Sequence, residues 1–195
     1  MCGRYSLEAD IDELIQRYKA IILETNFNSK SEIFPTDVVP IVKHVDGNIQ
    51  IQDMKWGFMP SFAKTSLINA RSETVDIKPT FKDSFINRRC IIPATSFFEW
   101  EKLEGKKIKR RINIDEEKIF SIAGLYNTFI DNEGKKYEAF TILTTSANES
   151  MKHIHDRMPV IIPRDKEYIW LNKSNRDISS LKDLIFPWKT NIIYE

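Results

Sequence analysis

An α+β fold, mostly antiparallel β with a few peripheral helices, is what the sequence predicts, and three observations predict it. Short runs rich in Val, Ile, Phe and Thr recur through most of the chain. Tight turn signals separate them: Asp46-Gly47, Glu104-Gly105, Asp115-Glu116-Glu117 and Asn132-Glu133-Gly134. Connections this short do not allow the crossover that joins consecutive parallel strands. Near the start an apolar pattern instead keeps helical spacing.

That helix is predicted over Glu8 to Lys19. Ile11, Leu14, Ile15 and Tyr18 fall on one face, and Asp10 with Glu13 forms a capping-box signature. Strands follow at Val38 to Val45, Ile49 to Met54, Arg89 to Ile92, Phe97 to Leu103, Ile108 to Ile114, Ile119 to Tyr126 and Ala139 to Thr145. A meander of about seven strands closes as a barrel or stacks as a sandwich. Met158 to Ile162 adds a further strand, and Lys166 to Asn172 and Ile178 to Leu184 read as short helices. With no linker, repeat or low-complexity segment, residues 1–195 are expected to be one domain.

Composition narrows the function classes. With 29 basic and 28 acidic residues the formal charge is +1, which excludes a whole-molecule polycationic attraction to nucleic acid, so a basic footprint has to be local. No apolar run reaches the roughly 20 residues of a spanning helix, and Met-Cys-Gly-Arg-Tyr-Ser lacks the apolar stretch of a signal peptide; a cytoplasmic protein without membrane contact is expected. Cys2 and Cys90 make no disulfide framework, and the cysteines and three histidines show no metal-ligand spacing, so neither a metal nor another cofactor is expected.

Four clusters carry chemistry. Removal of Met1 would leave Cys2 with an α-amine beside its thiol. The amine titrates near about 7.7 to 8.0 and the thiol near about 8.5, so part of the amine is an unprotonated nucleophile at neutral pH. A 1,2-aminothiol condenses with an aldehyde, the amine giving a Schiff base and the thiol closing a thiazolidine; the plainer alternative is an incidental Cys on a frayed end. Asn69-Ala70-Arg71-Ser72-Glu73-Thr74 offers an amide for an amine and an Arg for a phosphate, or simply a capped turn leading into Val75 to Ile77. In Phe97-Phe98-Glu99-Trp100 one carboxylate sits among large apolar groups; on a buried face its pKa rises toward neutrality, as acid/base work requires, and on an outer face it is inert. His153-Ile154-His155-Asp156-Arg157 supplies an imidazole and an anion-binding Arg, or a satisfied turn. The basic run Lys106-Lys107-Ile108-Lys109-Arg110-Arg111, with Arg88-Arg89 elsewhere, either contacts phosphates or forms a solvated hairpin balanced by Asp115, Glu116 and Glu117.

Together these clusters resemble the SOS response-associated peptidase (SRAP) family of abasic-site DNA-protein cross-linking proteins. The resemblance runs in order from Met1-Cys2-Gly3-Arg4-Tyr5 through Pro35-Thr36, Trp56-Gly57-Phe58-Met59-Pro60, Asn69-Ala70-Arg71-Ser72-Glu73-Thr74, Arg89-Cys90-Ile91-Ile92-Pro93 and Phe98-Glu99-Trp100. It continues through Ala123-Gly124-Leu125 and Thr141-Ile142-Leu143-Thr144-Thr145 to His155-Asp156-Arg157-Met158-Pro159. It implies a barrel-like core and a basic cleft for single-stranded DNA containing an abasic site, bound by a monomer. By the same resemblance, Cys2 links covalently to the ring-opened sugar, Asn69 orients its amine, His155 protonates the sugar oxygen and Glu99 moves protons between Schiff base and thiazolidine. Arg4, Arg71 and Arg157 hold phosphates, Thr144 lines the cleft near the lesion, and Pro35 with Phe62 forms a wedge that stacks on a base. Some members have Trp where Phe62 stands, and many read Trp-Gly-Leu-Ile-Pro at residues 56–60. Two other functions stay open on the residues alone: a cysteine-dependent autopeptidase with Cys2 as nucleophile, and a non-covalent single-strand binder.

Overall fold

The capping box at Asp10 forms and decides where the first helix begins. The Asp10 carboxylate accepts the Glu13 N–H at 2.8 Å, and the Glu13 carboxylate accepts the Asp10 N–H at 3.0 Å. The helix therefore starts at Ile11 rather than Glu8, and it stops at Tyr18 because Lys19 turns left-handed, at φ 50°. In the computed structural model, which describes residues 2–115, 117–187 and 192–195, this helix is α1 (Ile11–Tyr18) and follows β1 (Tyr5–Leu7). Then come β2 (Ile21–Glu24), β3 (Lys30–Ile33), β4 (Val38–Val45), β5 (Asn48–Trp56), β6 (Asn69–Arg71), α2 (Pro79–Asn87), β7 (Arg89–Ala94) and β8 (Ser96–Leu103). They are followed by β9 (Lys106–Ile114), β10 (Phe120–Ile130), β11 (Lys136–Ser146), β12 (Arg157–Pro159), β13 (Ile161–Ile162), α3 (Glu167–Leu171), α4 (Ile178–Lys182) and β14 (Ile192–Tyr194).

Five strands close on themselves. β4 pairs with β5 and β7, β7 with β10, and β10 with β11, all antiparallel. The ring is completed by β11 lying parallel to β5, with Ala139 opposite Lys55 and Phe140 opposite Trp56. The barrel alternative is thus the one adopted, and the expectation of antiparallel pairing needs correcting at this seam and at β2–β5 and β6–β11, which are also parallel. The strands flanking each parallel seam are far apart in sequence, so no turn signal reports on them. Trp56 and Phe140 stack at 6.1 Å inside the barrel, and Tyr5 meets Trp56 edge-on at 5.2 Å.

A second sheet, in the order β14-β9-β8-β1-β3, lies beside the barrel. Its β8–β9 hairpin turns through Glu104-Gly105, both at positive φ, as a two-residue turn requires. The basic run on β9 is largely neutralised, though not by Asp115 and Glu117: Arg110 pairs with Glu101, Lys109 with Glu32 and Arg111 with Glu8. Glu116 lies outside the described residues. The expected strand at Met158 to Ile162 is split into β12 and β13 at Val160, whose N–H bonds Leu143 on β11 while its carbonyl accepts from Ala123 on β10. Short helices α3 and α4 fall where expected. The turn after Asn69–Arg71 continues through Val75 to Ile77 and leads into α2, which the sequence pattern did not announce. Arg89 is no phosphate ligand: it is buried beneath α2 and α3. Among the described residues no helix is long and apolar enough to cross a membrane.

Candidate active site

Strand β1 brings the N-terminal residues inside. Tyr5 pairs with Phe97 and Ser6 with Ser96 on β8, and the ladder extends outward as the Phe98 N–H donates to the Arg4 carbonyl at 2.9 Å. Residues 2–4 thereby run alongside Glu99. Cys2 has no exposed surface, so it is not a frayed end. Its thiol points to the Arg4 carbonyl at 3.8 Å, and its own carbonyl accepts the Asn69 side-chain N–H at 2.9 Å.

Asn69 reaches Cys2 because β6 lies parallel to β11, with Asn69 opposite Ile142 and Arg71 opposite Thr144. The Asn69 Oδ1 atom is buried and has no hydrogen-bond donor among the described residues. Since nearly all buried polar atoms are paired, an acceptor left open beside Cys2 invites a donor there.

Glu99 is 3% exposed, so of the two readings its strand allowed, the buried one holds. Burial pushes its carboxyl above the ordinary carboxylate range. His155 lies with Nε2 3.8 Å from Glu99 Oε2. The other ring nitrogen, Nδ1, is 2.9 Å from the Arg157 N–H and 2.8 Å from Asp156 Oδ1, and these contacts demand opposite protonation. The backbone N–H is fixed by β12 and only donates, whereas the Asp156 side chain is exposed and turns freely. The fold therefore favours Nδ1 as acceptor and the proton on Nε2, facing Glu99. Burial, reinforced by the Glu99 charge, pushes the Cys2 thiol up to about 12, so at neutral pH it is the thiol and not the thiolate.

The remaining expected site residues frame this centre. Arg157 donates to the Thr144 carbonyl at 2.8 Å and lies 3.3 Å from the Thr144 hydroxyl, while its outer edge holds Glu73. Thr144 is fully buried, beneath Arg157 rather than on an open cleft wall. Arg4 pairs with Glu32 at 3.0 Å and lies over Phe34 and Trp100, 4.5 and 5.1 Å from the ring centres. Arg71 is exposed.

Pro35 stands on the β3–β4 loop, which is hydrogen-bonded to Trp56, and Phe62 on the loop that follows Trp56. Phe34-Pro35-Thr36-Asp37 is a turn closed by Asp37 N–H to Phe34 O at 3.1 Å, with Thr36 at φ 78° and tied to the Trp56 carbonyl. A left-handed threonine is strained by about 1 to 3 kcal/mol and is held by these bonds. Phe62 is 71% exposed on the loop after Gly57, whose ends are joined by the Phe58–Leu67 bridge. Gly57 is obligatory there, with φ 118° and a Cβ that would stand 2.8 Å from the Ser66 Cβ.

Glu32, Phe34 and Glu73 are the neighbours that sequence reading left without a role. Glu73 stands within the quoted Asn69–Thr74 motif, but single acidic residues in strands and turns carry no signal by themselves.

The geometry can be set beside known proteins. The SOS response associated peptidase (SRAP) family model matches residues 1–194. The abasic site processing protein YoqW of Bacillus subtilis is 36% identical over 196 residues, covering 96% of this chain and 88% of that protein. The abasic site processing protein YedK of Escherichia coli is 27% identical, covering 89% and 80%. A crystal structure of a protein from Bacteroides thetaiotaomicron superposes with a TM-score of 0.89 at 27% identity, covering 99% of this chain and 90% of that one.

Proposed function

Because the chain belongs to the SOS response-associated peptidase (SRAP) family, we propose that its one domain captures abasic sites in single-stranded DNA, through a covalent link to Cys2 once Met1 has been removed. The observation that carries this reading is the buried Cys2–Asn69 contact. Asn69 holds the Cys2 carbonyl with its amide N–H and keeps Oδ1 open for a second donor, which the freed α-amine would be. The resemblance of the matching relatives, whose names state abasic site processing, supports the substrate.

In the proposed sequence the His155 Nε2–H donates to the sugar ring oxygen, favouring the open aldehyde. The Cys2 amine adds to the aldehyde carbon, and the resulting carbinolamine loses its hydroxyl as water to give the Schiff base. Glu99, whose burial makes its carboxyl hold a proton more tightly than an exposed one, supplies the proton that the leaving hydroxyl needs. The carboxylate so formed takes the thiol proton as sulfur adds to the imine carbon and closes the thiazolidine. A thiol held neutral until that moment suits a reaction begun by nitrogen. The same neutrality speaks against the peptidase reading, which needs a thiolate, and Sγ is directed to the Arg4 carbonyl. Arg4, Arg71 and Arg157 would take the strand phosphates and Phe62 a base.

The test is an oligonucleotide with one abasic site, incubated with protein whose intact mass shows Met1 gone and run on a denaturing gel. One adduct per protein is expected, abolished in Cys2→Ala. An equal adduct with Cys2→Ala, or none with wild type, would overturn the reading; binding that ignores Cys2 would leave a non-covalent binder in its place.

A further inference from the structure

Two of the three arginines that the proposed function gives to phosphate are already occupied by carboxylates. Arg157 lies with its Nη1 and Nη2 atoms on the two Glu73 oxygens, the second at 3.0 Å. Its inner side is fixed by Thr144, and its Nε is buried with no acceptor among the described residues. The edge carrying Nη1 and Nη2 is thus the one that can face a ligand, and Glu73, 46% exposed, covers an Arg157 that is only 13% exposed. Arg4 repeats the arrangement: Nε is buried without an acceptor, the ring faces of Phe34 and Trp100 pack against the guanidinium, and Nη1 is held by Glu32. Glu32 is shared with Lys109. Glu73 also lines a cavity of about 280 Å³, together with Ser72, Thr145, Ser146 and Lys182 among others, which leaves that side chain somewhere to go.

A carboxylate and a phosphate present the same pair of oxygens to a guanidinium, and both cannot use one edge. We propose that Glu73, and more weakly Glu32, are internal phosphate surrogates, which occupy the Arg157 and Arg4 edges in the empty cleft and give way to backbone phosphates when single-stranded DNA enters. The inference rests on the reading above that these arginines receive DNA. It gives the glutamates a defined effect: each subtracts from affinity by the strength of the pair that has to break, and each keeps its arginine oriented while the cleft is empty. Among the described residues Arg71 forms no ion pair of this kind, although its charge also acts on Glu73.

The experiment uses the full chain and a fluorescent, undamaged oligothymidylate, so that no aldehyde chemistry enters, with binding read by anisotropy. Glu73→Gln should bind about three- to tenfold more tightly than wild type, the range expected for removing a part-buried ion pair that competes. Glu32→Gln should show a smaller gain, since Glu32 meets Arg4 through one nitrogen only, whereas Glu73 meets two nitrogens of Arg157. Arg157→Gln should weaken binding, and in that background Glu73→Gln should gain nothing. Glu73→Ala serves as a second variant if the glutamine folds poorly, with thermal unfolding of each as the control. Unchanged or weaker binding by Glu73→Gln would overturn the inference, as would the same gain without Arg157, which would reduce the effect to general charge removal. Coupling between Glu73 and Arg157 on undamaged DNA, in a protein that forms no adduct on an abasic strand, would sink the capture chemistry and leave this inference standing; an adduct without the coupling would do the reverse.

Discussion

On the proposed chemistry, Glu99 trades stability for an acid/base role. Its carboxyl is 3% exposed on β8, and burial raises its pKa. In the unfolded chain it titrates at its ordinary value of about 4.3, so the native state binds the proton more tightly. The group's contribution to stability is therefore full below that ordinary value and is lost as pH rises through the raised one. Glutamine keeps the shape and does not titrate. Glu99→Gln is expected to unfold at a higher temperature than wild type at pH 8, with the advantage shrinking to nothing toward pH 4. Its adduct should form about 10²-fold more slowly if Glu99 is the acid/base group. A thermal series across pH and a quenched time course check the two halves, and a pH-independent difference in stability would detach the effect from ionisation.

At the scale of elements, Arg89 ties three of them together. Its guanidinium donates to the carbonyls of Phe85 and Ile86 at the end of α2, of Trp170 and Asn172 around the end of α3, and of Asn175 beyond it, at 2.6 to 2.9 Å. Helix C-termini present unpaired carbonyls and partial negative charge, so a cation there satisfies both. Burial still lowers its pKa, to about 10, which leaves it charged at neutral pH. Arg89→Met should lower the unfolding free energy by about 3 kcal/mol or more, through several stranded carbonyls, and Arg89→Lys should recover only part because one ammonium cannot span five oxygens. Urea titrations measure both, and the folded fraction should keep the wild-type capture rate.

This same element explains what the sequence could and could not show. Helix α1 was legible because its cap and its apolar face are local, and the long strands β4, β5 and β7 to β11 were legible because each has room for a period. Arg89 looked like a phosphate ligand because burial of an arginine is decided by carbonyls eighty residues away. Strands β1, β3, β6 and β12 are three or four residues long, too short to show alternation, yet they are the ones that carry Cys2, Asn69 and Arg157 to one place. The reactivity proposed for Cys2, Glu99 and His155 was one of two readings open at each residue, and their meeting came from the resemblance and not from any pattern. The carboxylates on Arg4 and Arg157 had no sequence signal at all.

For the molecule as a whole the parallel β5–β11 seam is decisive, since it turns an open sheet into a ring. On β10, next to the seam strand β11, Gly124 lets the strand pass close to its neighbours: a Cβ there would stand 2.2 Å from Ile92 Cδ1, 3.1 Å from Cys90 Sγ and 3.1 Å from the Thr141 carbonyl. The Ile92 methyl can turn aside, but the carbonyl is backbone. Gly124→Ala should cost about 1 to 3 kcal/mol, as overpacking does, and because Gly124 pairs with Ile142, which pairs in turn with Asn69, it should slow the proposed capture as well. A denaturant midpoint that does not move would show that the wall yields freely.

The depth of Cys2 also sets a clock. Its strand rests against Phe97 and Ser96, which leave the ribosome roughly five to twenty seconds after residue 2 at ordinary rates of synthesis. Until then the terminus has no place to dock and any aminopeptidase can reach it; afterwards the amide nitrogen of Cys2 belongs to a residue sealed from solvent. On the proposed chemistry, the enzyme that trims the first methionine has to win a race against the folding of its own substrate.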